Sequence, residues 1–388
     1  MKILMVTRET LADKRYGLGR SLTPLIDEFH RRGVVVDYVC QNDLGSRALL
    51  WQHRFHRLLS YWFSRYATHT DFTALSYGVL ERLNMGRVAA KLVARHKHTH
   101  VHCHDPIIAA GFRFFSQFYP QQKTRWGVTE HGFGCYAQAI HEDGARLGSS
   151  MMKWMRNWEA QTLRSASWVV SPSRSAMAQV ARDLGIYPMP ETWQYIYHAR
   201  PVLNRYSKEN ARRVLDWTDD VSYILGVGRI APIKQFPMLI AACAQLKRNI
   251  PIQLVILGEG DHDTLLNIGK QLGLEREILF AVTDDIGLYL SAADLYVSSS
   301  ASESFGLANL EAMTAGVTTV CTAVGGVSEV VGSGAMLVPP ELDAITNALK
   351  LLLDNEELRK TIAQNALTRT QAWPDIVEIT NNYEKIYR

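Results

Sequence analysis

Cysteine is scarce in this sequence, which has five cysteines among 388 residues. No two of them form a CxxC pair, and none has the spacing of a metal-ligand set. Scattered thiols of this kind are typical of a chain in a reducing compartment. The sequence therefore indicates a cytosolic protein and predicts no cysteine metal site.

Long apolar runs are also missing. No run approaches the roughly 20 residues that span a bilayer, and the N-terminus meets charge too early for a signal peptide. We expect a cytoplasmic protein that makes its product inside the cell.

A strong charge of either sign is absent as well. The net charge of +4 permits anionic partners such as phosphates or acidic lipid, and we expect no nucleic acid partner. Hydrophobic residues make up 47% and charged residues 21% of the chain, which is the balance of an ordinary globular protein. Because one hydrophobic core rarely grows past roughly 250–300 residues, the length of 388 residues predicts two domains.

Short apolar runs alternate with amphipathic stretches of helix length, which predicts α/β domains with doubly wound parallel sheets. This alternation is interrupted at about 188–220, where a polar stretch with prolines and tyrosines indicates a linker. We expect a first domain of 1–198 and a second of 199–372, with 373–388 as a candidate to pack back on the first. Two such domains would face each other across a deep cleft, with ligands at the carboxyl ends of the strands.

The most informative segment is 302–313, which reads Ser-Glu-Ser-Phe-Gly-Leu-Ala-Asn-Leu-Glu-Ala-Met between a predicted strand and a predicted helix. It supplies the carboxylate of Glu303, the close backbone approach that Gly306 allows, and the free N–H groups of a helix start, which suit a phosphate. Glu311 lies further into the helix, on a face that could meet a ribose. The simpler alternative is that Glu303 only caps the helix and that Glu311 is solvated.

A second loop, 226–234, reads Gly-Val-Gly-Arg-Ile-Ala-Pro-Ile-Lys and follows another predicted strand. It places two cations, Arg229 and Lys234, at the carboxyl end of that strand. Such cations can neutralise the charge that develops on a diphosphate leaving group. The alternative is two surface basic residues, but the Gly-x-Gly before Arg229 favours the functional interpretation.

These motifs resemble, in their order, those of the family 4 retaining glycosyltransferases. The pattern consists of the Gly-Arg…Lys loop, Gly-Glu-Gly at 258–260, the two glutamates eight positions apart, and Gly-Gly-Val-Ser-Glu-Val-Val at 325–331. The resemblance covers essentially the whole chain and implies the GT-B fold of two Rossmann-like domains. It also implies a hexosyl-type transferase that needs no metal or other cofactor. Such an enzyme moves a sugar, with retention of configuration, from a nucleotide diphosphate sugar to a glycan or lipid-linked acceptor in cell-envelope glycan or glycolipid assembly.

The resemblance implies roles for residues of the second half. Arg229 and Lys234 would bind the donor diphosphate, Glu303 would contact the transferred sugar, and Glu311 would contact the ribose. Three consecutive main-chain N–H groups would hold the distal phosphate: those of Phe305, Gly306 and Leu307.

In the first half, Gly17 and Gly19 match the glycine loop that lets the first domain approach the donor, and His131 matches the cleft histidine near the reacting sugar. The match has two gaps. Relatives carry an Asn-Gly-Val-Asp turn at the hinge, where this chain has Ile-Tyr-His-Ala-Arg at 196–200. The strand at 278–281 lacks the glycine usually found just after it, which puts base contacts there in doubt.

Two other signals suggest metal binding, and we discount both. Asp-His-Asp at 261–263 resembles the metal motif of a different glycosyltransferase fold, whereas in GT-B enzymes cationic side chains neutralise the phosphates. Four histidines occupy every second position in and next to one predicted strand: His98, His100, His102 and His104. We expect them to line the cleft or to be structural.

Residues 44–70 contain no acidic side chain. Four arginines are interleaved there with aromatic and aliphatic residues at helical spacing: Arg47, Arg54, Arg57 and Arg65. The segment 47–65 therefore suits a helix that lies on the anionic inner surface of a membrane. The alternative is an amphipathic helix packed on its own domain.

Three other functions compete with a glycosyltransferase. A dinucleotide-dependent oxidoreductase needs Gly-x-Gly-x-x-Gly directly after a strand, but the sequence after Gly17-Leu18-Gly19 lacks the third glycine. A catalytically silent glycosyltransferase-like partner protein would have no chemical need for the full set of Arg229, Lys234 and the two glutamates. A nucleotide-sugar epimerase of the same fold stays open.

Overall fold

The computed structural model describes residues 1–9, 17–64, 70–119, 124–142, 148–247 and 250–388. These residues form two compact units. Unit 1 contains 1–9, Leu22–Tyr197 and Ile376–Arg388, and unit 2 contains 17–21 and His198–Asp375. The chain is thus divided at 197/198 and 375/376, compared with the expected 198/199 and 372/373, and residues 17–21 group with unit 2.

Unit 1 is a doubly wound α/β unit around one parallel sheet with the strand order β2-β1-β3-β4-β5-β6. Its strands are β1 (Lys2–Val6), β2 (Val35–Val39), β3 (His100–Cys103), β4 (Arg125–Thr129), β5 (Trp168–Ser171) and β6 (Trp193–Tyr195). Its helices are α1 (Gly17–Arg31, whose first turn groups with unit 2), α2 (Ser46–Ser64), α3 (Thr70–His96), α4 (Pro106–Ser116), α5 (Tyr136–Glu142), α6 (Ser149–Arg164), α7 (Arg174–Asp183) and, at the end of the chain, α16 (Ile376–Tyr387).

Unit 2 has a second parallel sheet with the strand order β12-β11-β10-β7-β8-β9. Its strands are β7 (Ser222–Val227), β8 (Ile252–Leu257), β9 (Ile278–Ala281), β10 (Leu295–Ser298), β11 (Thr318–Thr322) and β12 (Met336–Val338). Its helices are α8 (Lys208–Leu215), α9 (Phe236–Leu246), α10 (His262–Gln271), α11 (Ile286–Ala292), α12 (Leu307–Ala315), α13 (Val327–Val331), α14 (Leu342–Asp354) and α15 (Glu356–Gln371). The prediction of two α/β units with parallel sheets is confirmed.

The last helix, α16, belongs to unit 1 because it buries aromatic side chains there. Tyr387 packs against Phe29 and Trp168, with ring centroids 6.0 and 5.1 Å apart. Its hydroxyl is hydrogen-bonded to Nδ1 of His102 at 2.6 Å, and its carbonyl accepts from Arg125 at 2.7 Å.

Helices α3 and α4 pack unusually close together in unit 1. A Cβ added at Gly111 of α4 would lie 2.7 Å from the carbonyl oxygen of Leu83 in α3, and one at Gly86 would overlap the backbone of α4. These glycines allow the backbones of the two helices to come into direct contact.

The predicted linker at 188–220 is wrong in part, because β6 and α8 both lie within it. β6 is only three residues long, and α8 is eight residues long and mostly polar, so both give weak signals in the sequence. Among the described helices, none combines the length and the apolar character needed to cross a bilayer.

Candidate functional site

The strand order of unit 2 reverses between β7 and β10. β7 pairs with β8 on one side and with β10 on the other. Such a reversal opens a crevice at the carboxyl ends of the two strands, where ligands of open α/β sheets bind. The segments 226–234 and 302–313 lie at the carboxyl ends of these two strands, so the fold brings both predicted motifs to one edge.

Lys234 and Glu303 meet directly at this edge. Nζ of Lys234 donates to Oε2 of Glu303 at 2.6 Å, and the two side chains are 25% and 18% exposed. Residues just before Glu303 also bond to the segment 226–234, since Ser299 Oγ donates to the carbonyl of Lys234 at 2.8 Å and Ala301 N–H donates to the carbonyl of Ile233 at 2.8 Å. The two charges are therefore held together and remain partly accessible.

Glycines allow the loops after β7 and β8 to approach each other. Gly228 has a φ of +149°, and a Cβ added at Gly258 would overlap its carbonyl. Arg229, the next residue, is exposed at the same edge.

The N-terminus of α12 suits an anion. Its N-cap is Gly306, with a φ of +83°, so no side chain caps the helix, and its first turn contains no acidic residue. Leu307 is the first helical residue. Free N–H groups at such a terminus, together with the helix dipole, favour phosphate. The alternative that Glu303 is only a helix cap is wrong, because its carboxylate bonds to Lys234 instead.

Phe305 anchors this loop through its buried ring. The ring of His198 lies edge-on to it at 4.8 Å, and Trp373 lies 5.9 Å away. Nε1 of Trp373 donates to the carbonyl of His198 at 2.9 Å. Burial lowers the pKa of His198 to about 4, so this imidazole is neutral near pH 7. Sequence reasoning noted 196–200 only as a departure from the family pattern, and it missed this packing role.

Glu311 is buried, with 2% exposure, so the alternative of a solvated helix residue is wrong. Nε of Arg20, in the first turn of α1, lies 3.0 Å from its Oε1. Burial raises the pKa of Glu311 to about 7, although the charge of Arg20 acts to lower it. Within the described part of the chain, Oε2 of Glu311 is buried without a hydrogen-bond partner.

Sequence reasoning missed Arg20 as the partner of Glu311, although it directly follows the glycine pair. The expected glycine loop is also corrected, because Gly17 and Gly19 lie in the first turn of α1. In that turn, Ser21 Oγ donates to the carbonyl of Leu18 at 3.0 Å.

His131 lies in unit 1, just after β4. Its Nε2 is 3.0 Å from Nδ1 of His104, and the ring of His104 stacks on that of His102 at 4.2 Å. His102 is hydrogen-bonded on both nitrogens, to Thr129 at 2.7 Å and to Tyr387 at 2.6 Å. Burial lowers the pKa of His102 to about 3, so it is a neutral structural residue.

The two discounted metal signals have other partners in the structure. His98 is hydrogen-bonded to Asp37 at 2.6 Å. Asp261 caps α10 by accepting from the N–H of Thr264 at 3.0 Å. Over the residues that the structure describes, no group of three His, Cys, Asp or Glu side chains is placed to hold a metal ion.

Two family models match this chain, Glycosyltransferase Family 4 over 16–199 and Glycosyl transferases group 1 over 207–369. An uncharacterized glycosyltransferase from Methanocaldococcus jannaschii is 32% identical over 273 residues, which are 65% of this chain and 69% of that protein. The chain belongs to the family 4 glycosyltransferases. The oxidoreductase alternative is therefore wrong.

Two further proteins are similar to this glycosyltransferase, one in sequence and one in structure. An N-acetylgalactosamine-N,N'-diacetylbacillosaminyl-diphospho-undecaprenol 4-alpha-N-acetylgalactosaminyltransferase from Campylobacter jejuni is 32% identical over 160 residues, 40% of this chain and 43% of that protein. The match thus spans less than half of that relative. The Anabaena protein HepE, solved in complex with UDP-glucose, superposes with a TM-score of 0.69 at 19% identity over 99% of this chain and 98% of HepE. The expected two-domain GT-B fold is confirmed.

Proposed function

We propose that this glycosyltransferase takes its sugar from a nucleotide diphosphate donor bound at the segments 226–234 and 302–313 of unit 2. The observation that carries the proposal is the Lys234–Glu303 pair beside the uncapped N-terminus of α12. One edge of the sheet then offers a cation and helix N–H groups for the diphosphate, and a carboxylate for a sugar hydroxyl. HepE, a protein of the same fold, was solved with UDP-glucose.

The chemistry follows from where charge develops. When the bond between the anomeric carbon and the diphosphate oxygen breaks, negative charge grows on the leaving diphosphate. Arg229, Lys234 and the α12 N-terminus would stabilise that charge. Because these groups supply positive charge, we propose that the reaction needs no metal and no other cofactor. Glu303 would hold the transferred hexosyl sugar, and Glu311 would contact the ribose.

We further propose retention of configuration, by family likeness. The acceptor would attack on the face that the diphosphate leaves, and the leaving phosphate would accept the acceptor proton. His131 would act near the reacting sugar.

The acceptor is proposed to be a glycan or a lipid-linked sugar of the cell envelope, made on the cytoplasmic side. The name of the C. jejuni relative includes an undecaprenol diphosphate group. In α2, Arg54 and Arg57 are exposed, as are Leu50 and Leu58, which supports contact with an anionic membrane. Arg65, the last arginine of the segment 47–65, lies outside the described residues.

A thermal-shift screen with UDP, GDP, ADP and their sugars, in the presence of a chelator, tests the proposal. A ligand at 100 times its Kd stabilises by about 2.7 kcal/mol, which raises the Tm of a unit of this size by roughly 5–11 °C. We expect one nucleotide to give such a shift, and the Arg229→Ala and Lys234→Ala variants to lose it. Lys350→Ala, an exposed lysine on α14, is the matched control and should keep the shift.

Two results would contradict the proposal. The absence of a shift with every nucleotide would remove the donor site. A shift that returns only when a divalent cation is added would refute metal independence.

A further inference from the structure

Unit 1 contains an apolar pocket of about 480 Å³ between α2, α3, α4 and α6. This volume lies within the range of small-molecule sites, roughly 300–1,000 Å³. Its walls include three tryptophans, Trp51, Trp154 and Trp158, and apart from their indole N–H groups the hydroxyl of Ser76 is the only polar side-chain group among the residues that line it.

The walls of the pocket are held by packing. Trp51 lies edge-on to Phe115 with ring centroids 6.1 Å apart, and Trp154 stacks on Trp158 at 6.3 Å. The close glycine contact between α3 and α4 holds together two helices that line the pocket, through Leu83 and Ala110 among others. At the mouth, Phe114 and Trp154 are 55% and 61% exposed. Exposed aromatic side chains at the mouth of an apolar pocket are typical of a binding site.

Positive charge surrounds this pocket. Helix α2 contains three exposed arginines, Arg47, Arg54 and Arg57, and no acidic residue. The guanidinium of Arg87 lies 5.1 Å from the centroid of the Trp51 ring in the pocket wall. On α6, Lys153 is exposed next to Trp154. The surface is therefore complementary to a molecule with an apolar body and an anionic head.

A hydrocarbon tail fits this lining better than a peptide does. A peptide in the pocket would bring many backbone N–H and C=O groups, whereas the lining side chains offer only the hydroxyl of Ser76 and the indole N–H groups of three tryptophans as partners. Burying such groups without partners is unfavourable. An acyl or prenyl chain has no polar group to satisfy.

We propose that this pocket binds the hydrocarbon tail of a lipid with a phosphate headgroup, and that this lipid is the acceptor substrate. The headgroup lies among the arginines of α2. The role of the lipid as acceptor rests on the proposed glycosyl transfer, whereas the binding of a hydrocarbon tail in the pocket does not.

The probes are octyl, dodecyl and hexadecyl phosphate below their micelle concentrations, with binding followed by tryptophan fluorescence. Since a buried CH₂ contributes about 0.8 kcal/mol, affinity should rise about fourfold for each added methylene until the pocket is full. Val79→Trp, which fills the pocket, and Trp154→Ala, at its mouth, should each weaken dodecyl phosphate binding at least tenfold. Tyr187→Ala removes an equally exposed aromatic side chain outside the pocket and should leave binding unchanged.

The role of the lipid as acceptor is tested by sugar transfer to a membrane lipid extract, with the donor found by thermal shift. Val79→Trp should lower kcat/KM for the extract at least tenfold and keep the nucleotide-induced shift. If no nucleotide raises the Tm of the wild-type protein, the proposed function is refuted. The binding of alkyl phosphates in the pocket would still stand, because it does not depend on a nucleotide.

Three outcomes would overturn the inference. The first is an affinity for alkyl phosphates that does not depend on the length of the alkyl chain. The second is wild-type affinity for dodecyl phosphate in both Val79→Trp and Trp154→Ala. The third is that the protein binds an acidic amphipathic peptide and none of the alkyl phosphates. The last result would assign the pocket to a protein partner.

Discussion

Glu311 carries a buried charge that lowers the free energy of unfolding, and this effect can be measured. Burial raises its pKa from the ordinary 4.5 to about 7, although Arg20 lies 3.0 Å from its carboxylate and acts to lower it. The pKa is therefore higher in the folded chain than in the unfolded one. Stability contributed by the protonated form is present below pH 4.5 and is lost as the pH rises through about 7.

The Glu311→Gln variant removes this titration and keeps the shape of the side chain. The pKa difference between 4.5 and about 7 corresponds to about 3 kcal/mol at pH 8. In a unit of this size that is a Tm change of roughly 6–12 °C. We expect the variant to melt above the wild type at pH 8 by about this much, and the two Tm values to converge near pH 4.5.

Calorimetry of both proteins between pH 4.5 and 8 gives the measurement. Glu356→Gln is the control, because Glu356 lies on the surface and pairs with Lys360. Its Tm difference from the wild type should vary little with pH in this range. The Glu311 variant should also bind nucleotide more weakly, if the carboxylate contacts the ribose. Parallel pH profiles for Glu311→Gln and the wild type would refute the reasoning, since they would mean that Arg20 fully compensates for the burial of the charge.

Substitutions at two further residues test the packing around the site and around the last helix. Gly306→Ala forces a side chain into a left-handed backbone and places its Cβ 2.5 Å from Nδ2 of Asn309, so we expect a loss of about 1–2 kcal/mol and a weaker nucleotide shift. Wild-type melting and nucleotide binding would contradict the role given to this glycine. Tyr387→Ala should destabilise unit 1 by about 3–5 kcal/mol in urea unfolding, whereas Tyr387→Phe, which loses only the bond to His102, should lose about 1–3 kcal/mol. Equal effects of the two variants would show that the ring contributes nothing beyond the hydroxyl.

Much of unit 2 could be predicted from the apolar runs alone. The expected strand at Ile278–Ala281 has the observed bounds, and Glu311 lies in a helix, α12 (Leu307–Ala315), as expected. Buried parallel strands read as continuous apolar runs, and glycines mark the ends of the helices, so both signals are local.

Helix α8 shows where local signals fail. Its Arg212 is buried, donating to the carbonyl of Ala292 at 3.1 Å and to Asp294 at 2.8 Å. A charged residue at a buried position weakens the apolar signal of this short helix. The partners that make its burial favourable are remote in the sequence, so the pattern gave no indication of the helix.

The sequence by itself determined the two α/β units, the order of the family motifs and the types of residue that carry charge at the candidate site. Only the tertiary structure decided that Glu303 pairs with Lys234, that Glu311 pairs with Arg20, and that four helices of unit 1 enclose an apolar pocket. The physical reason is distance. Periodicity and turn chemistry act between neighbours in the chain, whereas ion pairing and burial depend on which remote elements meet after folding.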